Sequence, residues 1–160
     1  MRLLLKNVLF TLVVPGTVAF YFPLLIAADL PPAAGPRFLV ALALLAAGTA
    51  IYLWCVWDFA TFGRGTPAPI DAPKRLVVRG LYRYVRNPMY VGVLTVLAGW
   101  MVLFGSPELI AYGLCVGIAF HLFVVLYEER RLGQLFGAEY HDYCARVGRW
   151  LPRIPPRHPG

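Results

Sequence analysis

Charge is what this sequence has least of. Of its 160 residues only 14% are Asp, Glu, Lys or Arg, against about 25% in soluble domains. Carboxylates are the scarcer sign: 8 acidic residues stand against 15 basic ones, for a formal net charge of +7. Cysteine is nearly missing too. Cys55, Cys115 and Cys144 are far apart, odd in number and without metal-ligand spacing. Neither a disulfide framework nor a zinc site is supported, and no metal is expected. Internal repeats are also lacking. A soluble domain built on surface charge is excluded first.

What fills the chain is apolar, 59% of it by the broad count. Four apolar runs stand out, roughly 8–28, 38–57, 89–104 and 109–127. Each is near the ~20 residues a helix needs to cross about 30 Å of hydrocarbon. The third is short and rich in Gly. The first follows Arg2 and Lys6, as a signal peptide would, but its apolar stretch is too long and no small-x-small cleavage site follows cleanly. It reads as a span. The expected fold class is all-α: one membrane-embedded domain, 1–160, with four transmembrane helices, a cytoplasmic loop and a C-terminal interfacial helix.

The basic residues fix an expected topology. Arg2, Lys6, the six in the 58–88 segment and the six after Tyr127 fall on one side of such a bundle, and Arg37 alone lies opposite. The positive-inside rule puts both termini and the long loop in the cytoplasm. The placement of the net charge argues for anionic lipid as its partner, and no nucleic acid is expected. Breakers at 29–36 and a short turn at Gly105-Ser106-Pro107-Glu108 join the spans, so the third and fourth form an antiparallel hairpin. Tyr52, Trp54, Trp57 and Trp100 lie near span ends, as an aromatic belt does. The 63–73 stretch is turn-prone, and Leu76 to Tyr84 suits a short helix or strand. Beyond the fourth run, helix continues to about Phe136 with Gly137 as a cap. A second helix from Ala138 to about Arg149 puts Tyr140, Tyr143, Cys144 and Val147 on one face.

Candidate chemistry gathers at the cytoplasmic edge. Pro88 fits the first turn of the third span and biases Asn87 away from helical angles. Arg86 and Asn87 then sit at a helix mouth, which attracts a carboxylate or phosphate, and Arg86 adds a bidentate fork. The same pentapeptide also reads as an arginine anchor at the headgroups. Glu128 and Glu129 point about 100° apart, so one can face the bundle and take a cation or ribose hydroxyls. Local pairing of Glu128 with Arg131 is the other reading. His121 reads as functional or simply packed, Asp58 as a partner for loop arginines, and Gly63-Arg64-Gly65 as a flexible turn rather than a phosphate loop.

Taken together, Gly80-x-Tyr82-x-x-x-Arg86-Asn87-Pro88-x-Tyr90-x-Gly92, then Glu128-Glu129-x-x-Leu132-x-x-x-Phe136-Gly137-x-x-Tyr140-x-x-Tyr143, then Pro152-Arg153 resembles the isoprenylcysteine carboxyl methyltransferases, which are related to the phospholipid N-methyltransferases. The resemblance covers roughly residues 63–153. The family commonly has His where Asn87 stands, and Asn87 cannot titrate. The resemblance implies an integral-membrane enzyme using S-adenosylmethionine in a cytoplasm-facing pocket, with a lipophilic acceptor entering from the bilayer. It implies a cofactor site lined by Tyr82, Arg86, Asn87, Pro88, Tyr90, Glu128 and Glu129, with Tyr140, Tyr143 and Arg149 closing it. Arg86 and Glu129 would carry the catalytic roles, with Glu129 as the helper for an amine acceptor. The implied location is a bacterial or archaeal inner membrane. Two alternatives stand beside it: an NADPH-dependent membrane reductase of the sterol-reductase type, and a non-enzymatic four-span carrier.

Overall fold

A computed structural model describes residues 11, 13–63 and 76–153 of the chain. The start of the first apolar run, the Gly63-Arg64-Gly65 turn beyond Gly63, the stretch up to Arg75 and the prolines after Arg153 lie outside the described residues. The described chain is all-helical, with one isolated parallel bridge between Val85 and Gly148. The helices are α1 (Val13–Ile26), α2 (Pro36–Phe62), α3 (Pro88–Phe104), α4 (Pro107–Phe136) and α5 (Ala138–Arg146). A single 3₁₀ turn, Gly80–Arg83, precedes α3.

Proline starts three of these helices. Pro36, Pro88 and Pro107 all occupy the first helical turn, where a missing N–H costs nothing. Ser106 caps α4 by accepting the Leu109 N–H, and Gly105 ends α3 in the left-handed region at φ 65°. The Gly105–Ser106 joint makes α3 and α4 antiparallel neighbours, as the turn residues predict.

α2 and α4, at 27 and 30 residues, are long and apolar enough to cross a membrane; α1 and α3 are shorter apolar helices. Both long helices outrun the runs expected at 38–57 and 109–127. Each continues through a π-helical turn, Phe59–Gly63 in α2 and Val124–Glu128 in α4. Nothing in those segments breaks a helix at the point where hydropathy falls, so helix outlasts the greasy stretch. The outward faces are apolar: Trp57 is 66% exposed and Leu114 62%. Bare hydrocarbon on this scale suits lipid, not water.

Packing uses small residues. α2 and α3 cross where Gly48 meets Gly92: a Cβ on Gly48 would lie 2.6 Å from the Gly92 carbonyl oxygen. Close backbone approach of this kind drives helix association where lipid offers no hydrophobic gain. Val96, Leu97, Trp100 and Leu109 fill the core beside it. α1 is tied on by two side chains. Pro23 has no N–H to offer the Ala19 carbonyl one turn back, and Trp100 Nε1 donates to it at 2.8 Å. Tyr112 donates its hydroxyl to the Val18 carbonyl at 2.9 Å.

Candidate active site

Three segments meet at one end of the bundle: the turn into α3, the π-helical part of α4, and the chain following α5. Asn87 takes φ −125°, ψ 50°, outside the helical region, because the Pro88 ring disfavours α geometry in the residue before it. The first N–H groups of α3 have no partner within their helix, and Arg86 stands beside them. Residues 148–150 run back over this turn. The Arg86 N–H donates to the Gly148 carbonyl at 2.8 Å, and Asn87 Nδ2 donates to the Arg149 carbonyl at 3.2 Å. Asn87 thus works here as a tie, a role that needs no titration.

The acidic doublet divides. Glu129 is gripped by two arginines: Arg149 Nε and Nη2 donate to its two oxygens at 2.7 and 2.9 Å, and Arg86 Nη1 lies 3.1 Å from Oε1. The bond to Glu129 raises the Arg149 pKa further, so this fork stays charged. Glu128 points elsewhere. Its Oε2 accepts the Tyr90 hydroxyl at 2.9 Å, and its side chain lines a cavity of about 530 Å³. The local Glu128–Arg131 pairing is not what forms: Arg131 donates to the Tyr127 hydroxyl at 2.6 Å.

The cavity has two characters. One end presents Tyr82, Arg86, Asn87, Tyr90 and Glu128; the other is walled by Val14, Val18, Val93, Phe120 and Phe123 from α1, α3 and α4. Arg86 Nε is buried without a hydrogen-bond partner among the described residues. A buried donor left idle is costly, and it matches an anionic group of a ligand in this hollow. The residues therefore fit an amino-acid-bearing methyl donor: an arginine for its carboxylate, a glutamate for its ammonium or ribose hydroxyls.

Tyr140 and Tyr143 stand outside this wall. They are buried with Val147 against Leu132 and Phe136, a small core that seats α5 on the end of α4. The face expected for that helix is the one buried, with Cys144 half-buried at its edge. The Tyr143 hydroxyl donates to the Tyr82 carbonyl at 2.7 Å, which carries the support through to the cavity. Burial pushes the Tyr82 and Tyr143 phenols up, so both remain protonated.

Some cavity residues carry no sequence signal. Val14, Val18, Phe120 and Phe123 look like any lipid-facing side chains, and Tyr52, expected only in an aromatic belt, also lines the hollow. Trp150 carries no such signal either; its Nε1 donates to His121 Nδ1 at 3.2 Å, which gives His121 a partner. Asp58 is 3% exposed and its Oδ2 has no partner among the described residues, with Gly80 pressed against it at φ 55°. Arg79, a loop cation, instead stacks on Phe62 at 3.6 Å.

Residues 36–139 match the model of the phospholipid methyltransferase family. The chain is 32% identical over 95 residues to methanethiol S-methyltransferase of Pseudomonas deceptionensis, covering 58% of this chain and 33% of that protein. It is 36% identical over 81 residues to a probable protein-S-isoprenylcysteine O-methyltransferase of Oryza sativa subsp. indica, covering 50% of this chain and 42% of that protein. Against protein-S-isoprenylcysteine O-methyltransferase B of Arabidopsis thaliana it is 35% identical over 81 residues, 50% of this chain and 41% of that protein. The chain spans less than half the length of these curated relatives. The family match takes in α2, α3, α4 and, of the charged site, Arg86, Asn87, Glu128 and Glu129 but not Arg149, and on that match the chain belongs to the phospholipid methyltransferase family.

Proposed function

We propose that the chain is a membrane methyltransferase that uses S-adenosylmethionine and acts on a lipophilic acceptor. The observation that carries this reading is the single hollow with an ionic end at Arg86 and Glu128 and an apolar end between α1, α3 and α4. A charged donor and an oily acceptor need such a meeting place. Family membership and the relatives' names support the same reaction class, with sulfur as the acceptor atom in one relative and oxygen in the others.

When bound, S-adenosylmethionine supplies an electrophilic methyl group. Everything else falls to the protein. Arg86 takes the donor's carboxylate with its idle Nε. Glu128 takes an ammonium or hydroxyl, and Tyr90 holds its carboxylate in place. Glu129 and Arg149 fix the guanidinium of Arg86 from behind. Orientation and exclusion of water supply most of the rate. α1–α4 are the four spans, and the loop, α5 and both termini face the cytoplasm of a bacterial or archaeal cell. The acceptor enters from the bilayer.

Titration of the purified chain in detergent with S-adenosylmethionine tests this. Arg86→Ala and Glu128→Gln should each weaken binding about tenfold or more, equivalent to at least ~1.4 kcal/mol, with helical circular dichroism retained. Folded variants that bind the donor as the parent does would remove the site assignment.

A further inference from the structure

Two segments run side by side at the charged site and are tied together at both ends. At one end the Tyr143 hydroxyl donates to the Tyr82 carbonyl at 2.7 Å. At the other the Arg86 N–H donates to the Gly148 carbonyl at 2.8 Å, where Val85 and Gly148 form the parallel bridge. Between these ties lies a third link, made by side chains. Arg86 Nη1 donates to Cys144 Sγ at 2.7 Å.

α5 holds that sulfur in place. Tyr140, Tyr143 and Val147 are buried against Leu132 and Phe136. One residue on from Tyr143, a turn of about 100°, Cys144 leaves that core. Arg153 Nη1 donates to the Cys144 and Ala145 carbonyls at 3.3 and 2.7 Å, which ties down the last turn of the helix. A cysteine that only filled space would behave as a small hydrophobe buried among its neighbours. Cys144 is half-buried, with its sulfur on a guanidinium.

Glu129 does a different job. Its two oxygens take the fork of Arg149 at 2.7 and 2.9 Å, and Arg86 Nη1 shares Oε1 at 3.1 Å. Attraction between charges depends on distance. A hydrogen bond weakens steeply as its angle closes, so it also sets direction. The guanidinium is a rigid plane. Fixing the direction of one N–H therefore restricts where the others point.

We propose that Cys144 is a positioning residue: its sulfur sets the plane of the Arg86 guanidinium so that Nε faces the hollow. The proposal rests on the methyltransferase reading above, in which that Nε takes the donor's carboxylate. Cys144 acts through Arg86, which lines the cavity.

Three variants of the full chain in detergent are titrated with S-adenosylmethionine: Cys144→Ala, Cys144→Ser, and Cys144→Ala combined with Arg86→Ala. Loss of the acceptor in Cys144→Ala should weaken donor binding about fivefold. Cys144→Ser keeps an acceptor on the same carbon and should stay within about twofold of the parent. The double variant should bind the donor as Arg86→Ala alone does. Equal donor affinity in the Ala and Ser variants, or a further loss from Cys144→Ala where Arg86 is already gone, overturns the proposal. A second readout needs no donor. With isotope-labelled arginine, the Arg86 Nε–H resonance is assigned by its absence from Arg86→Ala. It should report a rigid group in the parent and in Cys144→Ser, and one mobile on the picosecond–nanosecond scale in Cys144→Ala. A group as rigid in Cys144→Ala as in the parent also overturns the proposal. A parent that does not bind S-adenosylmethionine takes down the methyltransferase reading instead, and the arginine resonance still decides whether Cys144 holds Arg86.

Discussion

Glu128 and Glu129 are neighbours in sequence and do different work. One step along a helix turns a side chain by about 100°, which is enough to put Glu128 on the cavity and Glu129 between two arginines. The doublet and its division are visible in the sequence; which member faces the hollow is not. The π-helical turn that ends at Glu128, Val124–Glu128, contains no Pro or Gly to announce it. The two residues should separate in experiment. Glu129→Gln leaves Arg86 and Arg149 without their shared anion and should lower unfolding stability in detergent by about 2 kcal/mol. Glu128→Gln keeps an acceptor for Tyr90 and should change stability by less than ~1 kcal/mol while losing donor affinity. Equal stability losses in the two variants would contradict the division. Arg149→Lys keeps the charge but not the two-point fork; its melting point should fall between those of the parent and Glu129→Gln.

Among the elements, the sequence makes the hairpin of α3 and α4 plain, because Gly105, Ser106 and Pro107 each have one local job. The pairing of α2 with α3 is less plain. Gly48 and Gly92 are two of 15 glycines, and only their meeting gives them meaning. Gly92→Val should drive the helices apart and cost about 1–3 kcal/mol, as overpacking does. Gly117→Val is a fair control, since a Cβ there meets nothing nearer than 3.7 Å. The hold on α1 was hidden for another reason. Trp100 reads as a membrane-belt aromatic, yet its indole replaces the N–H that Pro23 lacks. Trp100→Phe strands the Ala19 carbonyl and should cost about 1–3 kcal/mol in the same unfolding assay.

At the level of the whole molecule, the four apolar runs and the lopsided placement of arginine give a topology that labelling can test. On a background with Cys55, Cys115 and Cys144 replaced by Ser, a membrane-impermeant thiol reagent should reach Glu108→Cys and Arg146→Cys, both exposed positions, from opposite faces of sealed vesicles. Labelling of both from one face would overturn the four-span arrangement. What no composition reveals is that the runs leave a hollow between them, since a wall of Val and Phe looks the same whether it faces lipid or ligand. The Gly48–Gly92 crossing lies within about a turn of Tyr52 and Val93, two residues of that wall. The calibre of the hollow is therefore set by the α-hydrogens of two uncharged glycines. A saturation screen for lost activity should light up these two unremarkable-looking spots as brightly as the arginines, and laboratory evolution toward bulkier acceptors should leave them untouched and carve the opposite wall.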